Sequence, residues 1–172
     1  GVLEGPFARG KGSFIVSGRR TYIDALAQPI ILALNNGNGA GYYFYDFNAK
    51  ANYEIDDKNR VYLSGYFGRD KFYLNVKETF DDQSYKSKVN FGWGNATGTA
   101  RWNRIVNPKL FSNTSLIYSF YELAIKSEEE VNGDPLFSLQ YSSGIRDFSL
   151  KQDFDWYANN NHKVKFGLMA TH

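Results

Sequence analysis

The segment Tyr42–Phe67 most constrains what this chain can fold into. Its odd positions run Tyr43, Tyr45, Phe47, Ala49, Ala51, Tyr53 and Ile55, none of them charged. The even positions are Tyr42, Phe44, Asp46, Asn48, Lys50, Asn52 and Glu54, polar after two aromatics. Side chains of a strand alternate between faces, so this is one apolar and one polar face. After Asp56-Asp57-Lys58-Asn59-Arg60, which holds no apolar residue, Val61, Leu63, Gly65 and Phe67 resume the apolar row. At ~3.3 Å per residue Tyr42–Ile55 spans roughly 45 Å, far beyond a strand of about 5–6 residues. Tilted by ~40° it still rises about 35 Å, enough to cross an apolar band ~25 Å tall. Such a strand suits a transmembrane β-barrel.

Composition is compatible with that. No apolar run reaches the length of a transmembrane helix, and a mean hydropathy of −0.48 is no obstacle, because barrel strands interleave apolar and polar positions. Aromatics reach 17%, which interfacial girdles would use. A net charge of +2 offers no broad basic surface for nucleic acid. The absence of cysteine removes disulfides, thiol chemistry and cysteine-based metal sites. The chain opens on Gly1-Val2-Leu3 without a signal peptide, so a mature or partial chain is expected.

Along the chain, Gly1–Pro6 reads as the tail of a strand, Phe7–Gly12 as a turn and Ser13–Tyr22 as a strand. Thr21–Gly41 reads as a long connection in which Asp24 caps a short helix through Ala25-Leu26-Ala27, stopped before Pro29. The apolar run Ile30–Leu34 and a flexible stretch from Asn35 to Gly41 follow. Phe72–Ser87 looks charged and irregular. Lys88–Ile105 is a strand with Ala96, Gly98, Ala100 and Trp102 on one face. Phe91 and Trp93 are out of phase with them, which calls for a bulge or a lumen-facing pair. Leu110–Glu122 is a strand, Leu123–Pro135 a long loop carrying Glu128-Glu129-Glu130, and Leu136–Tyr157 a strand. A last strand begins at Val164.

Connections therefore alternate short and long. Those at about 7–12, 56–60, 106–109 and 158–162 are short, and those at about 23–41, 72–87 and 123–135 are long. Outer-membrane barrels have short periplasmic turns and long extracellular loops, so the alternation predicts orientation as well as fold.

The segments GSFIVSGRRTYID, YYFYDFNAKANYEIDDKNRVYLSGYFGRDKF and TARWNRIVNPKLFSNTSLIYSFY resemble the barrel of TonB-dependent outer-membrane receptors. The likeness is to the SusC-related branch with an N-terminal carboxypeptidase-regulatory-like domain. It implies an all-β, antiparallel transmembrane β-barrel, seen as a fragment of about six complete strands plus partial ones from a barrel of about 22. On that likeness residues 1–172 are part of the β-barrel domain, with the N-terminal plug and remaining strands outside this sequence. The function implied is energy-dependent nutrient uptake across the bacterial outer membrane, with no enzymatic step and no cofactor. The partners implied are outer-membrane lipid, the receptor's own plug domain, TonB and a surface SusD-like lipoprotein. A receptor-like barrel with a structural role in a larger outer-membrane complex, and a soluble β-sandwich binding module, are the alternatives.

Charged residues opposite an apolar row must face the lumen, since lipid-facing Lys or Arg at the midplane costs about 2–4 kcal/mol. The candidates are Asp46, Asn48, Lys50, Asn52, Arg101, Asp147, Lys151, Asp153 and Asp155, joined by Arg19, Arg20 and Arg69. They serve either as polar wall and plug contacts or as lining of a substrate path. Arg19 and Arg20, being adjacent, point opposite ways. No catalytic set is expected: His162 and His172 are the only histidines, one in a predicted turn and one at the end of the sequence. Gly92, Gly94 and Gly98 miss the dinucleotide-loop spacing. Asp81-Asp82 and Glu128-Glu129-Glu130 lack the ligand spacing of a calcium loop. The sequons at Asn95 and Asn113 fall inside strands.

Overall fold

The computed structural model describes residues 1–35 and 38–172. They form one antiparallel sheet whose eight strands lie side by side in chain order. The strands are β1 (Val2–Phe7), β2 (Gly12–Arg20), β3 (Gly39–Asp56), β4 (Asn59–Phe80), β5 (Gln83–Asn107), β6 (Leu110–Val131), β7 (Asp134–Asn159) and β8 (His162–Thr171). One helix, α1 (Ile23–Leu34), interrupts the meander between β2 and β3. No second layer covers the sheet among the described residues, and no hydrophobic side chain there is buried. A soluble sandwich, which needs an inner face on each of two sheets, is therefore not what this chain builds.

The pairing register joins the apolar rows of separate strands into one surface. A single row runs Gly5, Phe14, Ala51, Leu63, Ala100, Leu116, Leu150, Ala170 across all the strands without a charge. Below it on the same face lie Phe7 and Tyr53, stacked at 6.2 Å, and Trp102, whose indole N–H donates to Asn59 Oδ1 at 3.0 Å. Above it lie Tyr45 and Phe67, 6.1 Å apart, and Tyr118 and Phe148, 4.8 Å apart. Small and aliphatic residues between two aromatic belts are the pattern of a barrel wall. The polar members of the face satisfy one another. Thr114 donates to Gln152 at 2.6 Å, and Gln152 donates to Ser112 at 2.7 Å, as groups facing hydrocarbon must.

The apolar stretch also slides along the strands. On β3 the uncharged positions of this face extend from Tyr43 to Ile55, whereas on β7 they extend from Phe148 to Trp156. The row through Phe47, Phe67, Ala96 and Phe120 ends at Arg146 on β7. Strands tilted to the membrane normal require this drift, because a level band crosses successive strands at shifted positions.

Two expected loops are not loops. β4 and β5 pair without interruption through Phe80↔Gln83, so Phe72–Ser87 is a hairpin closed at Asp81-Asp82. β6 and β7 continue to Val131↔Asp134, closed at Asn132-Gly133. Positive φ at Asp81 (53°), Asp82 (61°), Asn132 (55°) and Gly133 (93°) gives the I′-type turns whose twist matches paired strands. The bulge considered near Phe91 is absent, since the register shifts only beside Ile105. The alternation of connection lengths survives in another form, as strands that overrun the apolar band at one end. At ~3.3 Å per residue the stretch from Arg69 to Phe80 is about 40 Å of strand, and at a tilt of ~40° it reaches about 30 Å past the band.

The opposite end uses different chemistry. There Asp56, Asn107 and Asn159 accept the N–H of Lys58, Lys109 and Asn161 at 2.8, 2.9 and 3.0 Å, an Asx-turn at three of the four hairpins of that end, while β1 and β2 are joined by a 3-10 turn over Ala8–Gly10. Each Asx-turn has a register shift beside it. The helix also departs from expectation. It runs through Pro29 to Leu34, and Tyr22 stands at its N-cap with no side-chain cap bond. Asp24 sits in the first turn, where a carboxylate suits the helix dipole, and Arg20 donates to it at 2.9 Å. Asn36 and Gly37, within the stretch expected to be flexible, lie outside the described residues.

Candidate functional site

The face opposite the apolar band carries the polar residues. Its central rows are Asn48–Tyr66–Thr97–Ser119–Asp147, then Lys50–Ser64–Thr99–Ile117–Ser149, then Asn52–Tyr62–Arg101–Ser115–Lys151. Asp46, Asn48, Lys50, Asn52, Arg101, Asp147, Lys151, Asp153 and Asp155 all lie on this one face by register. Arg69 does not. It pairs across to Gly94 on the apolar-band face, just above the band, and approaches Glu122 at 3.7 Å. Its expected lumenal position is thus corrected: it follows Phe67 at even spacing, and it stands where that face has already left the apolar zone.

Local partners order the polar face. Arg19 donates to Asp46 at 2.6 Å and stacks on Phe44 at 5.2 Å, which leaves Asp46 buried. Arg20 instead points to the other face, over Tyr43 at 4.9 Å. Asn52 donates to Ser13 at 2.6 Å. Arg101 lies over the Tyr62 ring at 5.2 Å. Lys151 pairs with Asp153 at 2.9 Å, and Asp155 meets Lys163 and Lys165 at 3.2 and 3.3 Å. Asp147 accepts from Ser119 at 3.5 Å. Lys50, Asn52, Tyr62 and Arg101 line an open groove with a cavity volume of about 760 Å³. Glu4, Phe14 and Ile15 share the lining, so the groove sets one carboxylate and apolar surface beside its two cations. No set of three or more metal-ligating side chains occurs among the described residues.

Past the band the two faces exchange character. The former apolar face becomes charged, with Lys71, Lys77, Lys86, Lys88, Glu122, Lys126, Glu128 and Glu130. Lys126 pairs with Glu128 at 2.6 Å and Lys88 with Glu130 at 3.3 Å. Lys126 holds the Glu128 carboxyl below its ordinary value, chiefly through that hydrogen bond. The former polar face becomes apolar, with Tyr42, Phe44, Phe72, Phe91, Trp93, Leu123 and Ile125 in neighbouring rows. Phe91 and Trp93 lie 5.2 Å apart, and Tyr42 stacks on Trp93 at 6.3 Å. One carboxylate, Asp70, lies in this shelf between Phe44 and Trp93 and accepts the Tyr42 hydroxyl. Among the expected functional residues the shelf is absent. Its signal was the phase change at Phe91 and Trp93, together with the two aromatics that open the even row at Tyr42.

Comparison with known proteins bears on the fold. No protein-family model matches the chain, and no curated protein matches it. Among solved structures, it superposes over 99% of its length on BauA, the ferric preacinetobactin receptor from Acinetobacter baumannii, at a TM-score of 0.52 and 7% identity. The wall is that of an outer-membrane β-barrel. The TodX monoaromatic hydrocarbon channel (a deltaS2S3 mutant; 12% identity, 94% of this chain) and the Ralstonia pickettii toluene transporter TbuX (8% identity, 95% of this chain) give TM-scores of 0.42 and 0.36. The chain spans 35% of the length of BauA, 50% of TodX and 66% of TbuX. An apolar band between aromatic belts is the kind of surface that outer-membrane barrels turn to lipid.

Proposed function

We propose that residues 1–172 are a stretch of the barrel domain of a TonB-dependent outer-membrane receptor that takes up a nutrient. The single observation carrying this reading is the superposition of the sheet, over 99% of this chain, on BauA, the ferric preacinetobactin receptor. The polar face is consistent with it. A wide barrel with a charged inner wall holds a plug and passes a polar solute, whereas a narrow one fills its interior with side chains. In this reading Lys50, Asn52, Arg101, Asp147 and Lys151 face the lumen, where they contact the plug and line the path. The aromatic shelf around Trp93 is the first wall a ligand meets from the overhang side. No bond of the solute is made or broken. Binding and release are gated by a plug on which TonB pulls.

The same reading assigns the Asx-capped turns to the periplasm and the overhanging hairpins to the cell exterior, by the usual asymmetry of such barrels. The resemblance of the strand and turn segments to the SusC-related branch adds a carboxypeptidase-regulatory-like domain and a SusD-like surface lipoprotein. The test uses the full-length protein in detergent and the purified periplasmic domain of TonB. Saturable binding that strengthens with the cognate nutrient is expected. Absence of binding, together with a full-length sequence that lacks a plug, would replace the transporter with a barrel of structural role.

A further inference from the structure

Helix α1 leaves an apolar side uncovered. Ile23, Leu26, Ile30 and Leu34 recur at helical spacing and are 65%, 74%, 61% and 78% exposed, forming one stripe. The opposite side holds the helix to the wall. Asp24 is 8% exposed and paired with Arg20, and Leu32 packs on Gly39, where a Cβ would come within 3.1 Å of its Cδ2. Gly39 shares its face of β3 with Tyr43, Tyr45 and Phe47. The helix therefore docks on the face that carries the apolar band, from the level of Phe44, whose C=O accepts the Thr21 N–H, up to Gly39, with its stripe turned outward.

We propose that α1 is a membrane-surface anchor, its stripe seated in the leaflet on the overhang side at the boundary of head groups and acyl chains. This rests on the outer-membrane reading above. Continuity argues for lipid as the occupant, because the stripe prolongs an apolar band that lipid already wets. Charge argues the same way. The only ionisable residue of the helix, Asp24, is buried against Arg20, so the outward side brings no charge into the interface. Beside it, exposed Lys71 shares the row of Tyr43 and has no ion-pair partner among the described residues, at the level where lipid phosphates lie. An apolar helix side lying in the interface binds in proportion to the apolar area it buries there.

The test places nitroxide labels singly at Leu26, Ile30, Leu63 and Asn132 of the full-length protein. The bilayers are of phosphatidylethanolamine and phosphatidylglycerol, and collisions with oxygen and with a water-soluble nickel chelate are measured. Leu26 and Ile30 are expected to behave like Leu63 in the band, with nickel collisions several-fold below those at Asn132. Nickel reaching Leu26 and Ile30 as freely as Asn132 would put the stripe in water and overturn the anchor. Neither reagent reaching them would put a protein surface over the stripe and overturn it equally. A nickel-accessible Leu63 would refute the outer-membrane reading itself, which separates the two failures.

Discussion

Leu63→Lys is the sharpest single test of which surface meets lipid. Leu63 stands in the row that crosses every strand without a charge, between Ala51 and Ala100, and is 60% exposed. A lysine at the midplane of a barrel wall costs about 2–4 kcal/mol, falling to about 0–1 near the interfaces. At about 1.4 kcal/mol per factor of ten, the folding equilibrium should shift roughly 30- to 1000-fold. Phe67→Lys, at the upper belt, should lose about 0–1 kcal/mol of charge cost by the same depth dependence. Thr97→Lys points to the other face, beside Tyr66 and Ser119, and should be nearly silent. The measurement is a urea titration of the full-length protein folding into vesicles, followed by tryptophan fluorescence and by heat-modifiable migration on gels. Equal losses for Leu63→Lys and Thr97→Lys would mean that protein covers both faces. A larger loss at Thr97 would invert the assignment.

Two further outcomes follow from the turns. Cysteines placed at Gln83 or Asn132 should react with an impermeant maleimide on intact cells, and those at Asn59 or Asn107 should not; the reverse pattern would turn the barrel over. The Asp56 carboxyl is held below its ordinary value first by the Lys58 N–H and then by the Asn59 amide. A depressed folded-state value adds stability that is present above the unfolded value and is lost as pH falls through the folded one. Asp56→Ala should therefore lower the urea midpoint at pH 7 and converge with the parent protein below the ordinary carboxylate range. Asp56→Asn keeps an acceptor without titrating and should show no such pH dependence; a sloping profile for it would sink this account of the turn.

What the sequence made legible depended on what surrounds each stretch. β3 and the lower half of β4 were readable because the two faces differ in chemistry along their whole length, so apolar Phe47, Ala49 and Ala51 alternate strictly with Asn48 and Lys50. Residues 72–87 keep the same period of two, but the apolar positions pass from the parity of Phe67 to that of Phe72 and Leu74. A pattern that changes parity without a bulge reads as irregular, and the stretch was expected to be a loop. The backbone is not the cause: the face that held Leu63 and Phe67 carries Arg69 and Lys71 further along one unbroken strand. The misplacement of Arg69 has the same origin. At α1 the error was local. Pro29 suggested a stop, because an interior proline removes a hydrogen bond and crowds the carbonyl four residues back, yet the spacing of Ile23, Leu26, Ile30 and Leu34 already ran across it. The shelf around Trp93 needed the register itself, since Tyr42, Phe72, Phe91 and Ile125 come from separate strands.

The 172-residue chain on its own should not be a stable monomer. Ordering a backbone costs about 1–2 kcal/mol per residue, and in a soluble domain the burial of apolar side chains offsets it. Here no hydrophobic side chain among the described residues is buried, and Leu63, Leu116, Phe148 and Leu168 are 60%, 59%, 60% and 65% exposed. Lipid on one face would supply the missing environment, but the edges remain. β1 and β8 close the two ends of the strand order without pairing to each other. Each outer edge presents N–H and C=O groups that cost several kcal/mol apiece in hydrocarbon. In water the same edges and the bare apolar band template association with other chains. Expressed alone, the chain should therefore sediment as aggregates or open oligomers and show no cooperative melt. Analytical ultracentrifugation and circular dichroism settle the point. A monodisperse 19.6 kDa species with a sharp transition would mean that the exposed rows of Leu63 and Leu116 pack on one another, and would end the barrel-wall assignment.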